Sequence, residues 1–457
     1  MASFIESGPD IAKEINAMSA LARRSWVPEI SENLIQDIAR FCAASDSRTI
    51  DEEITSLIER NREIHERDCI NLNPATNIMN PKAEAVLAQG LGSRPSLGYP
   101  GDKYEMGLEA IERIEVIAAE LAAEIFGAHY AEIRVGSGAL ANLYTFMATA
   151  RPGDPVIVQS ADIAGHITHH EAGAAGLYGL DIHPAPLDAQ TYSVDLKGLR
   201  NLAQRIKPKL ITLAGSLNLL RHPIAQVREI ADEAGAFVLY DAAHMSGMIA
   251  GKAWQQPLEE GAHLMTMSTY KSLGGPPSGL ILTNKAELAE RLDAIAYPGL
   301  TANFDASKSA SLAITLLDWK EYGVSYAAEM AGSALALAQA LAERQVPVFS
   351  TSQGFTTSHQ FAIEAAGFGG GQALAKKLRK ANILTCGIAL PRPLVEDGVN
   401  GLRIGTPEIV RWGMTASDMD ELAALMARVL VAGEEPETVA MDVTAFRQRF
   451  TDLHFMR

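Results

Sequence analysis

The chain has 457 residues, 47% of them hydrophobic, with a formal net charge of −16 and an isoelectric point near 5.2. This length exceeds one ordinary core, so two packed domains plus an extra segment are expected, with room to bury a large site. The acidic balance, with no concentrated Lys/Arg stripe, argues against nucleic-acid or membrane-surface binding, and no uninterrupted apolar stretch reaches transmembrane length.

Residues 1–68 are rich in helix formers with apolar residues at helical spacing, as in Ile30, Leu34, Ile38 and Phe41, then Ile54, Leu57 and Ile58. The pattern predicts a helical arm whose stripes pack on the main body or on a second subunit. The polar start of the chain lacks the apolar core of a signal peptide. Cys42, Cys69 and Cys386 lack the paired spacing of a zinc site and read as buried thiols in a reducing compartment, so a cytoplasmic location is expected.

Residues 69–320 alternate between helix and strand patterns. Helices are expected at Ile111 to Phe126, about Ala141 to Ala150, and Ile224 to Glu233. Strands are expected at Glu132 to Val135, Pro155 to Val158, Lys209 to Leu213, Ala236 to Tyr240, Leu264 to Met267 and Gly279 to Thr283. This alternation predicts an α/β domain with a mostly parallel sheet covered on both faces. Residues 321–457 change character and predict a smaller α+β domain. It has a helix over Ala327 to Arg344, a strand near Thr357 to Ile363, and helices near Ala373 to Lys380 and Ala416 to Leu430.

The chemistry concentrates in two segments. Ala236-Phe-Val-Leu-Tyr-Asp241 is an apolar run ending in a carboxylate, and Met265-Thr-Met-Ser268-Thr-Tyr270-Lys271 is a second one ending in an amine, followed by glycines. Buried parallel strands deliver such groups at their C-terminal edges, where α/β sheets bind ligands. An amine and a strand-end acid are the two groups a pyridoxal phosphate site needs: one for the Schiff base, one to keep the pyridine nitrogen protonated. Alone, Asp241 is more often a helix cap or turn residue and Lys271 a solvated surface lysine; together, in this order, with hydroxyls before the lysine and glycines after it, they point to the cofactor. Upstream, Ser137-Gly138-Ala139 opens a helix after a strand, which suits a phosphate, although tight turns favour the same residues. Ser216 follows another strand and can add a hydrogen bond to phosphate or ring. His166 is placed to stack on a pyridine ring. His166 and His170 have zinc-like spacing, yet no carboxylate or thiol set joins them, so no metal is expected. Arg403 suits a bidentate clamp on an α-carboxylate, with a surface salt bridge as the ordinary alternative.

Gly98-Tyr-Pro-Gly101, Gly138-Ala-Leu-Ala-Asn142, Gly165-His166-Ile-Thr-His169, Asp241-Ala-Ala-His244, Ser268-Thr-Tyr-Lys271-Ser-Leu-Gly-Gly-Pro276 and Leu402-Arg403-Ile-Gly-Thr-Pro407 occur in one order. Together they resemble the serine hydroxymethyltransferase family of fold type I pyridoxal phosphate enzymes, from roughly residue 70 to 430. The resemblance implies a seven-stranded large domain and a homodimer or homotetramer with its site between two subunits. By matching position it implies Lys271 as the Schiff-base lysine and Asp241 as the partner of the pyridine nitrogen. His166 is then the stacking imidazole, and His244 lies near the cofactor phenolic oxygen. Ser137, Gly138, Ala139, Ser216, Ser268 and Tyr270 become cofactor contacts, and Arg403 and Tyr104 substrate contacts.

The departures bear on activity. Where the family carries a tyrosine and a glutamate before Gly-Tyr-Pro-Gly, this chain has Pro95 and Leu97, and leucine cannot transfer a proton. Tyr104-Glu105 stands where the family has two tyrosines. Asn73-Pro-Ala-Thr-Asn77 replaces Ala-Ser-Glu-Asn, Tyr270 replaces a histidine, and Leu300-Thr-Ala-Asn-Phe304 replaces a glycine-rich loop. These changes argue against tetrahydrofolate as co-substrate. The expectation is a folate-independent aldolase or transaldolase acting on a β-hydroxy amino acid and an aldehyde, with His166 or Glu105 taking the hydroxyl proton. The alternatives are a tetrahydrofolate-dependent hydroxymethyltransferase relying on Glu105, a decarboxylase, aminotransferase or racemase, and a cofactor-binding protein without activity.

Overall fold

The computed structural model describes residues 19–301, 303–393, 395 and 398–457. The chain divides into two compact units, residues 1–68 and 69–457. In the first, α1 (Glu29–Ala44) and α2 (Ser47–Arg62) form the helical arm, with Asp46 capping α2 through Thr49 N. Ile30, Leu34, Ile38 and Phe41 are exposed, and so is Cys42, which corrects the expectation of a buried thiol: it lies on an outer face of α1. The first 18 residues, also assigned to the arm by sequence, lie outside the described residues.

The second unit is built on a seven-stranded sheet. In chain order its strands are β1 (Tyr130–Val135), β2 (Pro155–Val158), β3 (Asp181–Pro184), β4 (Leu210–Leu213), β5 (Phe237–Asp241), β6 (Leu264–Ser268) and β7 (Gly279–Thr283). Their spatial order is β1-β7-β6-β5-β4-β2-β3. β6, β5, β4, β2 and β3 run parallel, whereas β7 is antiparallel to both β6 and β1. β4, β6 and β7 are buried along their whole length, and β5 from its second residue on, which is why they read as continuous apolar runs rather than alternating ones. β3 escapes the sequence pattern because Asp181-Ile-His-Pro184 is short, polar and partly exposed, and its proline is tolerated at a sheet edge.

Helices α3 (Glu109–Phe126) and α4 (Gly138–Thr149) flank β1 in the chain, with α5 (Leu196–Ile206) and α6 (Ile224–Ala234) on either side of β4. Then comes α7, a single helix of 38 residues from Ala306 to Glu343. It starts well before the helix expected from Ala327, because its first turns bury small residues, Ser307, Ser309, Ser311 and Thr315, that carry no hydrophobic periodicity. Residue 320, taken from sequence as the domain boundary, falls inside it. The remainder holds β8 (Gln360–Glu364), α8 (Gly371–Lys380), β9 (Cys386–Ile388), β10 (Gly401–Gly405), α9 (Met419–Leu430) and α10 (Pro436–Arg447). The strand order β8-β10-β9 is antiparallel throughout and places Arg403 on the central strand.

Candidate active site

The C-terminal ends of β5 and β6 deliver Asp241 and, directly after the two-residue turn Thr269–Tyr270, Lys271. Asp241 is 2% exposed. Its Oδ2 accepts hydrogen bonds from His169 Nε2 at 2.9 Å and Asn142 Nδ2 at 3.0 Å, and its Oδ1 from Ala243 N at 3.0 Å. Burial alone would raise its pKa, but the His169 hydrogen bond and the charges of His169 and His166 hold it below the usual carboxylate range. The result is a buried, ionised carboxylate. Thr266 Oγ1 donates to Asn142 Oδ1 at 2.7 Å, which turns the Asn142 amide nitrogen toward Asp241.

Lys271 is 6% exposed, and its Nζ lies 3.2 Å from His244 Nε2. Burial, aided by Arg403 and opposed by Asp241, pushes its pKa down to about 8. Arg403 is equally buried, and among the described residues it has no carboxylate partner, which rules out the surface salt bridge. Its Nη1 donates to Ser216 O at 2.5 Å and its Nη2 to Cys386 Sγ at 3.1 Å, while Nε is buried without a partner. The Cys386 thiol in turn lies 3.2 Å from Asn73 Oδ1.

Ser137 caps α4, accepting from Leu140 N at 3.2 Å. The amides of Gly138 and Ala139 belong to the first turn and have no helical acceptor. Gly138 is required by close approach: a Cβ there would lie 2.1 Å from Ser268 Oγ. His166 sits in the turn beyond β2; its Nδ1 accepts from Thr168 N at 3.3 Å and is 2.8 Å from Thr168 Oγ1. Burial lowers its pKa to about 4, so the neutral ring carries its proton on Nε2.

Asp241, Lys271, His244, Arg403 and His166 therefore converge within electrostatic reach of one another, with Ser216 bound to the guanidinium through its backbone. Tyr270 is partly exposed. Tyr104 and Glu105 stand apart, just after the hairpin of Gly98–Tyr99 and Asp102–Lys103. Tyr104 is 80% exposed, and Glu105 Oε2 is buried with no hydrogen-bond partner. Among the described residues, no group of three or more His, Cys, Asp or Glu is arranged to hold a metal ion. No site role was read from sequence for His169, Asn142, Thr266, Gln360 or Cys386, and Cys386, expected as a buried thiol, is only half-buried. The motif-borne His169 and Asn142 were within reach, whereas nothing local marks Gln360 or Cys386.

These residues fit pyridoxal phosphate: a buried amine with a lowered pKa, an ionised acid across the cleft, free helix N-terminal amides and an orphaned guanidinium nitrogen. The comparisons agree. The serine hydroxymethyltransferase family model matches residues 47–426. An alpha-methylserine aldolase of Ralstonia sp is 61% identical over 437 residues, 96% of this chain and 100% of its own length. One of Variovorax paradoxus is 60% identical over 438 residues, 96% of this chain and 99% of its own. A serine hydroxymethyltransferase of Methanopyrus kandleri is 35% identical over 408 residues, 88% of this chain and 95% of its own. With the match spanning the large sheet, Lys271, Asp241 and Arg403 alike, the chain belongs to the serine hydroxymethyltransferase family of fold type I pyridoxal phosphate enzymes.

Proposed function

We propose that this protein is a folate-independent aldolase that cleaves the Cα–Cβ bond of α-methylserine, giving alanine and formaldehyde. Leu97 carries this proposal: an apolar side chain stands where the family resemblance places the glutamate used with tetrahydrofolate. The names of the 60–61% identical relatives support the same substrate. Bound at Lys271, pyridoxal phosphate supplies a protonated ring that takes up the electron pair released when the Cα–Cβ bond breaks.

The chain's own residues do the rest. Asp241, kept ionised, would hold the ring proton, and the α4 amides with Ser137 and Ser268 would bind the phosphate. Arg403 fixes the substrate carboxylate. A base must remove the β-hydroxyl proton. His166 already accepts at Nδ1 and presents an N–H at Nε2, which suits a stacking and donating role. Glu105, with an unpartnered oxygen, suits the base better. The hairpin and the residues after it expose Tyr99, Tyr104 and Met106, a surface suited to a homodimer in which this segment reaches the second copy's site.

The test is formaldehyde release from α-methylserine, with and without tetrahydrofolate. Release at equal rates in both refutes folate dependence. Turnover of L-serine only when tetrahydrofolate is added would overturn the proposal and assign Glu105 to hydroxymethyl transfer.

A further inference from the structure

The hydrogen bonds around His244 dictate where its proton sits. Gln360 Oε1 lies 3.0 Å from the backbone N–H of Asn218. A backbone N–H only donates, so the atom facing it is the amide oxygen and the amide nitrogen occupies the other end. That nitrogen is 3.2 Å from His244 Nδ1 and donates to it. Asn218 is itself held: its Nδ2 donates to Gly215 O at 2.9 Å, its Oδ1 accepts from His222 Nε2 at 2.8 Å, and its carbonyl accepts from Ser358 Oγ at 2.5 Å. On the far side of the ring, His244 Nε2 is 3.2 Å from Lys271 Nζ and 3.3 Å from Arg403 Nη1. The guanidinium cannot accept and already has Ser216 O. A free lysine amine can accept.

We propose that Gln360 is a positioning residue that fixes His244 as its Nε2–H tautomer, so that His244 donates to Lys271 Nζ once that nitrogen has lost its proton and thereby favours the free amine over the ammonium. Donors then run in one direction from His222 through Asn218, Gln360 and His244 to Lys271, and aligned bonds of this kind polarise one another. A doubly protonated ring is excluded, since Gln360, Lys271 and Arg403 all face it and His166 and His359 lie nearby. Burial and these cations hold the His244 pKa well below the usual histidine range. Asp241, Arg403 and Cys386 are the other charged or titratable groups acting on Lys271. The free amine is the nucleophilic form. The functional meaning rests on Lys271 being the residue that carries the cofactor; the tautomer does not.

The experiment is ¹⁵N NMR of the full-length protein labelled at histidine, before and after loading with pyridoxal phosphate, with His244→Asn assigning the signals. The expected spectrum, recorded above about pH 8 where Lys271 is a free amine, has an unprotonated Nδ1 in both states and a protonated Nε2 in the cofactor-free protein. Gln360→Glu keeps an acceptor for Asn218 N–H but places a carboxylate opposite Nδ1, which draws the proton there and leaves Nε2 as an acceptor facing Lys271. Uptake of pyridoxal phosphate, followed by absorbance against pH, then shifts upward by about one pH unit, roughly tenfold slower near neutrality. A wild-type Nδ1–H signal overturns the proposal, as does a Gln360→Glu protein with unchanged tautomer and uptake profile. If that variant fails to fold, the wild-type spectrum decides alone. The expected tautomer in a protein that takes up no pyridoxal phosphate would sink the functional proposal and leave this one standing.

Discussion

Replacing Arg403 by lysine separates charge from geometry. The guanidinium is 6% exposed, and two of its nitrogens are oriented by Ser216 O and the Cys386 thiol, so the fork is held in one plane. Lysine keeps the positive charge but offers a single donor point, leaving one of two charge-assisted hydrogen bonds to a substrate carboxylate. A hydrogen bond to a charged group contributes about 1.5–3 kcal/mol. At about 1.4 kcal/mol per factor of ten, Arg403→Lys should lower kcat/KM for α-methylserine by roughly 10- to 150-fold. Because the carboxylate is bound before and during bond breaking, most of the loss should appear in KM. Initial rates of formaldehyde release measure it, with pyridoxal phosphate uptake and Tm as controls for an intact site. A variant with normal uptake and a kcat/KM within about threefold of wild type would refute Arg403 as the carboxylate clamp.

Lys271→Met should stabilise the cofactor-free protein at pH 7. The folded-state pKa, about 8, lies below the ordinary lysine value of 10.5, so below about pH 8 folding buries a charged ammonium at full cost, and that cost vanishes as pH rises toward 10.5. The gain should be on the order of 3 kcal/mol below pH 8 and shrink above it; thermal denaturation at several pH values checks this, and a pH-independent difference contradicts it. Gly138→Ala should weaken pyridoxal phosphate binding, because the new Cβ meets Ser268 Oγ at 2.1 Å, and the loss should be smaller when Gly138→Ala is introduced into a Ser268→Ala background. An equal loss in both backgrounds would show that this clash is not the cause. Glu105→Gln should lower cleavage by at least about tenfold, the lower range for a positioned base, and His166→Asn should mainly impair cofactor retention. If Glu105→Gln loses less than about tenfold in cleavage, the assignment of Glu105 as the base is wrong.

Much of this protein was legible in its residues. Continuous apolar runs ending in Asp241 and leading to Lys271 point to buried parallel strands, because they are short, end in a polar residue at the sheet edge and alternate with helical segments. The ordered motifs specified the amine, the acid and the guanidinium. Where propensity and periodicity were weak, sequence was silent: edge strand β3 is polar, and the first half of α7 buries small hydroxyl residues that carry no amphipathic signal. The tertiary structure alone decided the partners. Gln360 reaches His244 across 116 positions of chain, and Cys386 meets Arg403 only because β9 and β10 pair antiparallel. A buried polar group must find a partner wherever the fold brings one, and that choice depends on packing between distant strands rather than on any local pattern of residues.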